Sequence, residues 1–320
     1  MRVDASQYCN WSREIFAQMR QAGLTAVFAT LTYHGTLRAA VDEVMAWNDR
    51  FRDNADLIFH GRSAADIEKA REQGRTAIFF GLQNPMPMED DLRLLEILHT
   101  LGVRLFQLTY NTQSLLGCGW TEPRDSGLTI MGREVVREMN RIGMIIDLSH
   151  AGERTAIEAI EASQGPVVIS HANPIWWRET KRNVSNTLLE ALAAKEGMIG
   201  LSLYPHHMKS GADTTLAEFC SMVLKLGERI GITRIGIGSD LCQDQPDAVL
   251  NWMREGHWMR PDPNSVRAKF PRQPDWFADC RGFNQIADGL RTEGLSPDDI
   301  RAVLGENWRK FLQRALKPQT

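Results

Sequence analysis

The chain has 320 residues, 43% of them hydrophobic and 24% charged, with a net charge of −3. That is an ordinary globular composition, and it excludes a strongly basic nucleic-acid binder. Cys9, Cys118, Cys220, Cys242 and Cys280 are scattered, with no CxxC pair, which excludes a disulfide framework and a zinc ribbon.

In chain order, short apolar runs closed by turn residues predict strands at 2–4, 25–32, 76–84, 103–111, 143–150, 166–173, 198–205 and 234–241. A minor run at 56–60 lies between the second and third. Amphipathic stretches at 36–52, 64–73, 90–101, 133–141, 153–163, 186–195 and 216–230 predict helices. Several stop at a glycine, among them Gly74, Gly102, Gly143 and Gly231. Eight such alternations imply parallel strands with right-handed crossovers, closed into an α/β fold of the (β/α)8 TIM barrel class. One domain over 1–320 is expected. From 242 to about 283 the chain is irregular and rich in Pro, Arg and Trp, including Pro261, Pro263, Trp252, Trp258 and Trp276. That segment is read either as a wall of the pocket or as a surface or subunit contact.

The N-terminus has no signal-peptide core, and no run of about 18 apolar residues could span a bilayer. A cytoplasmic protein with a small-molecule substrate, no membrane or nucleic-acid partner and a homodimeric assembly is expected.

In such barrels the residues at the C-terminal ends of the strands face the pocket. Here those are Gln83, Asn84, Tyr110, Asn111, His150, His171, Tyr204 and Asp240. His150 and His171 close successive strands, in DLSH and ISH, where two imidazoles can share one metal ion. Asp240, in GIGSDL, is placed to take a proton from water. His34, His206 and His207 follow strands and reach the pocket rim, whereas His60, His99 and His257 read as structural or exposed. Walker, GxSxG and HExxH motifs are absent.

The segment GLTIMGREVVREMNRIGMIIDLSHAG at 127–152 resembles the membrane (renal) dipeptidase family, peptidase family M19, of the amidohydrolase superfamily. ISHANP at 169–174, KRNVSN around Arg182, GIGSDL at 236–241 and GENWRKFL at 305–312 follow in the family's order. The resemblance implies a barrel that hydrolyses dipeptides with two bridged zinc ions. It assigns His150 and His171 to one zinc, Arg182 to the substrate and Asp240 to the attacking water. It also marks departures. Ser6 and Tyr8 stand where the family has His-x-Asp for the other zinc, Gln83 where it has the bridging glutamate, and Tyr110 where it has a substrate-binding histidine.

The expectation is a hydrolase with one zinc ion per chain, acting on a small C–N substrate that bears a carboxylate, either dipeptide-like or an N-substituted amino acid. Asp240 and Arg182 are its catalytic residues; Arg182, Tyr110, Asn111, Gln83 and Tyr8 bind substrate. The alternatives are a barrel repurposed for elimination, hydration or isomerisation, and a non-catalytic binding protein. Tyr8, Tyr110, Trp11, Trp120, Trp252 and Trp258 are expected at the barrel mouth, where they would suit a cationic or apolar substrate head.

Overall fold

The computed structural model describes residues 1–260, 262 and 266–317. Among the described residues there are nine strands: β1 (Val3–Gln7), β2 (Ala26–Thr30), β3 (Ile58–His60), β4 (Thr76–Leu82), β5 (Val103–Gln107), β6 (Ile145–Asp147), β7 (Val168–Ala172), β8 (Met198–Leu201) and β9 (Ile235–Ile237). All pair in parallel, and contacts of β2 with β4 and of β1 with β9 close the ring. The ring is therefore the expected (β/α)8 barrel. The short β3, which the sequence shows only as a minor run, stays outside it. β3 flanks the start of β4 (Ile58 opposite Thr76), while β5 pairs further along β4.

Most ring strands are buried along their whole length, as a parallel sheet covered on both faces requires. The barrel interior gathers Val3, Phe28, Phe79, Leu105, Ile145, Val168 and Met198. Trp308, from the helix Asn307–Ala315, plugs its lower end. The Trp308 indole N–H donates to Ile237 O at 3.1 Å. Gly236 makes room for that ring, since a Cβ there would lie 2.1 Å from Trp308 Nε1. With the bottom filled by apolar rings, the polar ends of the strands collect at the opposite mouth.

The segment after β9 is partly ordered into the helix Asp247–Glu255 and turns at Asp275–Phe277 and Cys280–Gly282. Pro261 and Pro263 lie outside the described residues. Among the described residues no helix is long and apolar enough to cross a membrane.

Candidate active site

His171 lies within β7, and His150 lies three residues beyond the end of β6, in a turn. The two are thus not in one strand-end register, yet their Nε2 atoms are 3.0 Å apart. Their tautomers follow from the surrounding hydrogen bonds. Asn111 Oδ1 accepts the Trp120 indole N–H at 2.7 Å, and an indole can only donate, so the amide orientation is set. The same oxygen lies 2.8 Å from His150 Nδ1, which must therefore carry the proton. On the other ring, His171 Nδ1 lies 2.7 Å from Ser170 Oγ, and Ser170 donates its own proton to Asp147 Oδ2 at 2.5 Å. His171 Nδ1 therefore donates to Ser170. Both Nε2 lone pairs face each other.

Two confronted lone pairs at this distance repel each other, and a shared cation would relieve that repulsion. Burial, followed by Arg182, holds both imidazole pKa values well below the ordinary range, so a proton is disfavoured in that role. The spacing suits two ligands of one ion whose metal–nitrogen bonds are about 2.0–2.1 Å. The next candidate, Asp240 Oδ1, is 3.9 Å from His171 Nε2. Among the described residues no group of three or more His, Cys, Asp or Glu side chains is disposed to hold a metal. Gln83 donates through Nε2 to Thr30 Oγ1 at 2.9 Å and to Ser6 Oγ at 3.4 Å. Tyr8 packs edge-on against Tyr33, with ring centroids 4.8 Å apart. The two imidazoles could share one ion, and Ser6, Tyr8 and Gln83 offer no carboxylate that could bridge it to a second.

Asp240 has φ 57, a left-handed conformation that Asp tolerates better than most residues and that clusters at functional sites. Its N–H donates to Ser6 O at 2.9 Å. Burial pushes its carboxyl up to about 6; Arg182 opposes this, and Asp4 and Asp147 add to it. Arg182 is itself buried, which brings its pKa down to about 10. It donates through Nη2 to His171 O at 2.8 Å, while its Nε and Nη1 have no partner among the described residues. A buried guanidinium with unpaired donors carries a cost that an anion beside it would offset.

These groups line a cavity of about 580 Å³. Its polar wall holds Gln83, Tyr110, Asn111, His150, Arg182, His207 and Asp240; its apolar wall holds Trp120, Leu250, Met253, Trp258 and Met259. The helix Asp247–Glu255 thus supplies a wall of the pocket. Of the aromatic set expected at the mouth, Tyr110, Trp120 and Trp258 line the cavity. Trp11 instead packs in the strand–helix layer on Phe16 and Trp47, and Trp252 packs on Tyr33 and His34. His34 is tied to Met253 O at 3.0 Å and faces a neighbouring groove, whereas His206 and His207 line the cavity.

Sequence reasoning passed over the two buried carboxylates that brace the site. Asp147 accepts from Gln107 Nε2, from the N–H and hydroxyl of Ser149, and from the N–H and hydroxyl of Ser170, at 2.5–3.1 Å. Asp4 likewise accepts from Gln7 Nε2 at 2.7 Å and from the N–H and hydroxyl of Ser239 at 2.7 and 2.5 Å. In each case the serine precedes a site residue, His171 or Asp240. The signal available was the repeat of Ser before that residue in ISH and GSD.

The sequence model of the family described as membrane dipeptidase (peptidase family M19) matches residues 12–251. Dipeptidase tcpJ of Claviceps purpurea is 31% identical over 289 residues, 89% of this chain and 62% of that protein. Dipeptidase aclJ of Aspergillus oryzae is 31% identical over 263 residues, 80% of this chain and 56% of that protein. The chain thus spans about three fifths of the length of these curated relatives. Among solved structures, an amidohydrolase from Pseudomonas aeruginosa matches with a TM-score of 0.94 and 35% identity, over 99% of this chain and 96% of that one. A metallo peptidase from Rhodobacter sphaeroides, liganded with a phosphinate mimic of the dipeptide L-Ala-D-Ala, shares the fold with a TM-score of 0.82 and 18% identity, over 98% of this chain and 99% of that one.

Proposed function

The chain belongs to the membrane dipeptidase family, peptidase family M19, and from that membership we propose that it is a metal-dependent hydrolase of a carboxylate-bearing C–N substrate, with one zinc ion per chain. The observation that carries this reading is the pair of facing Nε2 lone pairs on His150 and His171, 3.0 Å apart, beside an Arg182 with two unpaired donors. His150 and His171 would hold the ion. When bound, it supplies a lowered pKa to water and polarises a carbonyl. Asn111 and Ser170 fix the two imidazoles. Arg182 receives the substrate carboxylate through its planar fork. Asp240 takes the proton of the attacking water and returns it to the leaving nitrogen.

One zinc ion per chain is the expected elemental analysis after dialysis. Each carboxylate ligand lost removes charge on which a second site depends, and Ser6, Tyr8 and Gln83 supply none. Two stoichiometric zinc ions would overturn the mononuclear reading.

The cavity also bears on substrate choice. Among the described residues that line it, Asp240 is the one carboxylate, against Arg182 and Arg254. A free dipeptide brings an ammonium group that finds no other acidic partner there. The apolar wall of Trp120, Met253 and Trp258 suits an uncharged head instead, which favours the apolar over the cationic alternative. N-acyl amino acids with an apolar acyl group are therefore expected to exceed free L,L- and L,D-dipeptides by at least about tenfold in kcat/KM. The dipeptides should stay below the usual enzyme range of about 10⁴ M⁻¹s⁻¹. A panel of both classes measures this; Ala-D-Ala turned over above that level would reverse the preference. Zinc binding without turnover of any panel member would move the reading to a binding protein.

A further inference from the structure

The cavity contains another buried imidazole that the metal pair does not use. His207 ends the short turn Pro205–His207 after β8. Its backbone is clamped, because its carbonyl accepts from Asn173 Nδ2 and Asn183 Nδ2, each at 3.1 Å. Asn173 is itself locked to Ser202: its Oδ1 accepts the Ser202 N–H at 3.1 Å and its Nδ2 donates to Ser202 O at 2.9 Å. The His207 ring meets the same serine, with Nδ1 2.8 Å from Ser202 Oγ.

The direction of that last bond sets the tautomer. Ser202 is fully buried, and its Oγ already accepts the Tyr204 N–H at 3.2 Å. Among the described residues its hydroxyl proton has one acceptor in reach, His207 Nδ1. Ser202 donates, Nδ1 keeps its lone pair, and the proton of the neutral ring sits on Nε2. This is the opposite tautomer to that of His150 and His171, whose Nδ1 atoms carry the proton. His207 is only 7% exposed, and it lines the cavity together with His150, Arg182 and Asp240. Among the described residues the ring's one hydrogen bond is that of Nδ1 with Ser202 Oγ, which leaves Nε2 on the cavity side. Burial, then Arg182 and His206, hold its pKa well below the ordinary range, so the ring stays neutral.

We propose that His207 is a catalytic hydrogen-bond donor, whose Nε2–H meets the carbonyl oxygen of the scissile C–N group as negative charge develops there. The inference rests on the hydrolase reading. As the water oxygen bonds to the carbonyl carbon, Asp240 accepts a water proton and the C=O π pair moves onto the oxygen, where His207 donates. When that pair returns, the C–N bond breaks, and the nitrogen leaves with the proton from Asp240. A donor already held by Ser202, Asn173 and Asn183 has little reorganisation to undergo at that moment, which is the condition under which such donors are most effective.

The test uses H207F, which keeps a ring without a donor, and H207Q, whose amide nitrogen stands near the place of Nε2. With the best N-acyl amino acid of the panel, H207F is expected to lose about 10²-fold in kcat with KM changed less than about threefold. H207Q is expected to return to within about tenfold of wild type. A second readout needs no turnover. In the 15N spectrum of the metal-free protein, the imidazole missing from H207Q is expected to be protonated on Nε2. H207F with kcat within about threefold of wild type, or a proton on Nδ1, overturns the proposal. A zinc-loaded wild type that hydrolyses no panel member overturns the hydrolase reading itself, and the role of His207 falls with it.

Discussion

Asp240→Asn is expected to lower kcat by about 10²–10⁴-fold, the range for a positioned general base. The carboxyl is buried and raised to about 6, so at neutral pH it is ionised but still basic enough to accept a proton. An amide has nearly the same shape and no such capacity. The fold should survive the change. Asn also tolerates the left-handed backbone at this position, and the bond from its N–H to Ser6 O involves no side chain. Zinc content should hold at the wild-type value, because the two imidazole ligands keep their partners Asn111 and Ser170. Steady-state kinetics, a thermal midpoint and elemental analysis on the same preparation separate these effects. Turnover within about threefold of wild type would remove Asp240 from the chemistry, and a collapsed midpoint would mark it as structural.

The barrel could be read from the alternation of apolar strands with glycine-stopped helices, because that pattern is local in the chain. The strand ends could not. Residues 143–150 look like one strand, yet β6 stops at Asp147, whose Oδ1 accepts the N–H and hydroxyl of Ser149 and turns the chain. Likewise 198–205 shortens to Met198–Leu201, where the backbone of Ser202 is taken up by the Asn173 side chain. His150, His171 and Asp240 stand out in sequence because residue type and strand-end position suffice to mark them, whereas Arg182 is marked only by the resemblance of its KRNVSN segment to the family. The relay from Asp147 through Ser170 to His171 joins β6 to β7 through barrel register, which no spacing reveals, and the bond from Ser202 to His207 depends on the local turn Pro205–His207 after β8. Trp11 departs from its expected place for a related reason: an aromatic ring just after a strand can turn to the mouth or to the helix layer, and here it packs on Phe16 and Trp47.

Asp147→Asn tests whether that relay holds the metal site together. The carboxylate takes five donors, from Gln107, Ser149 and Ser170, and all of them are buried. An amide offers one oxygen and adds two donors of its own, so at least one of the five meets an N–H. If the amide nitrogen faces Ser170 Oγ, that hydroxyl can no longer donate to residue 147. It turns to His171 Nδ1 and donates there instead. The proton of His171 then moves to Nε2 and covers the lone pair that faces His150. Zinc affinity, measured by chelator competition, should fall by about 10–100-fold, the usual cost of removing a partner behind a metal-ligating histidine. Stability should drop by about 1–3 kcal/mol for each buried donor left unsatisfied. The two effects can be told apart. Ser170→Ala removes the link to His171 while sparing the contacts of Asp147 with Gln107 and Ser149, so it should reproduce most of the affinity loss with a smaller loss of stability. Unchanged zinc affinity in both variants would show that the tautomer of His171 is set by something other than Asp147.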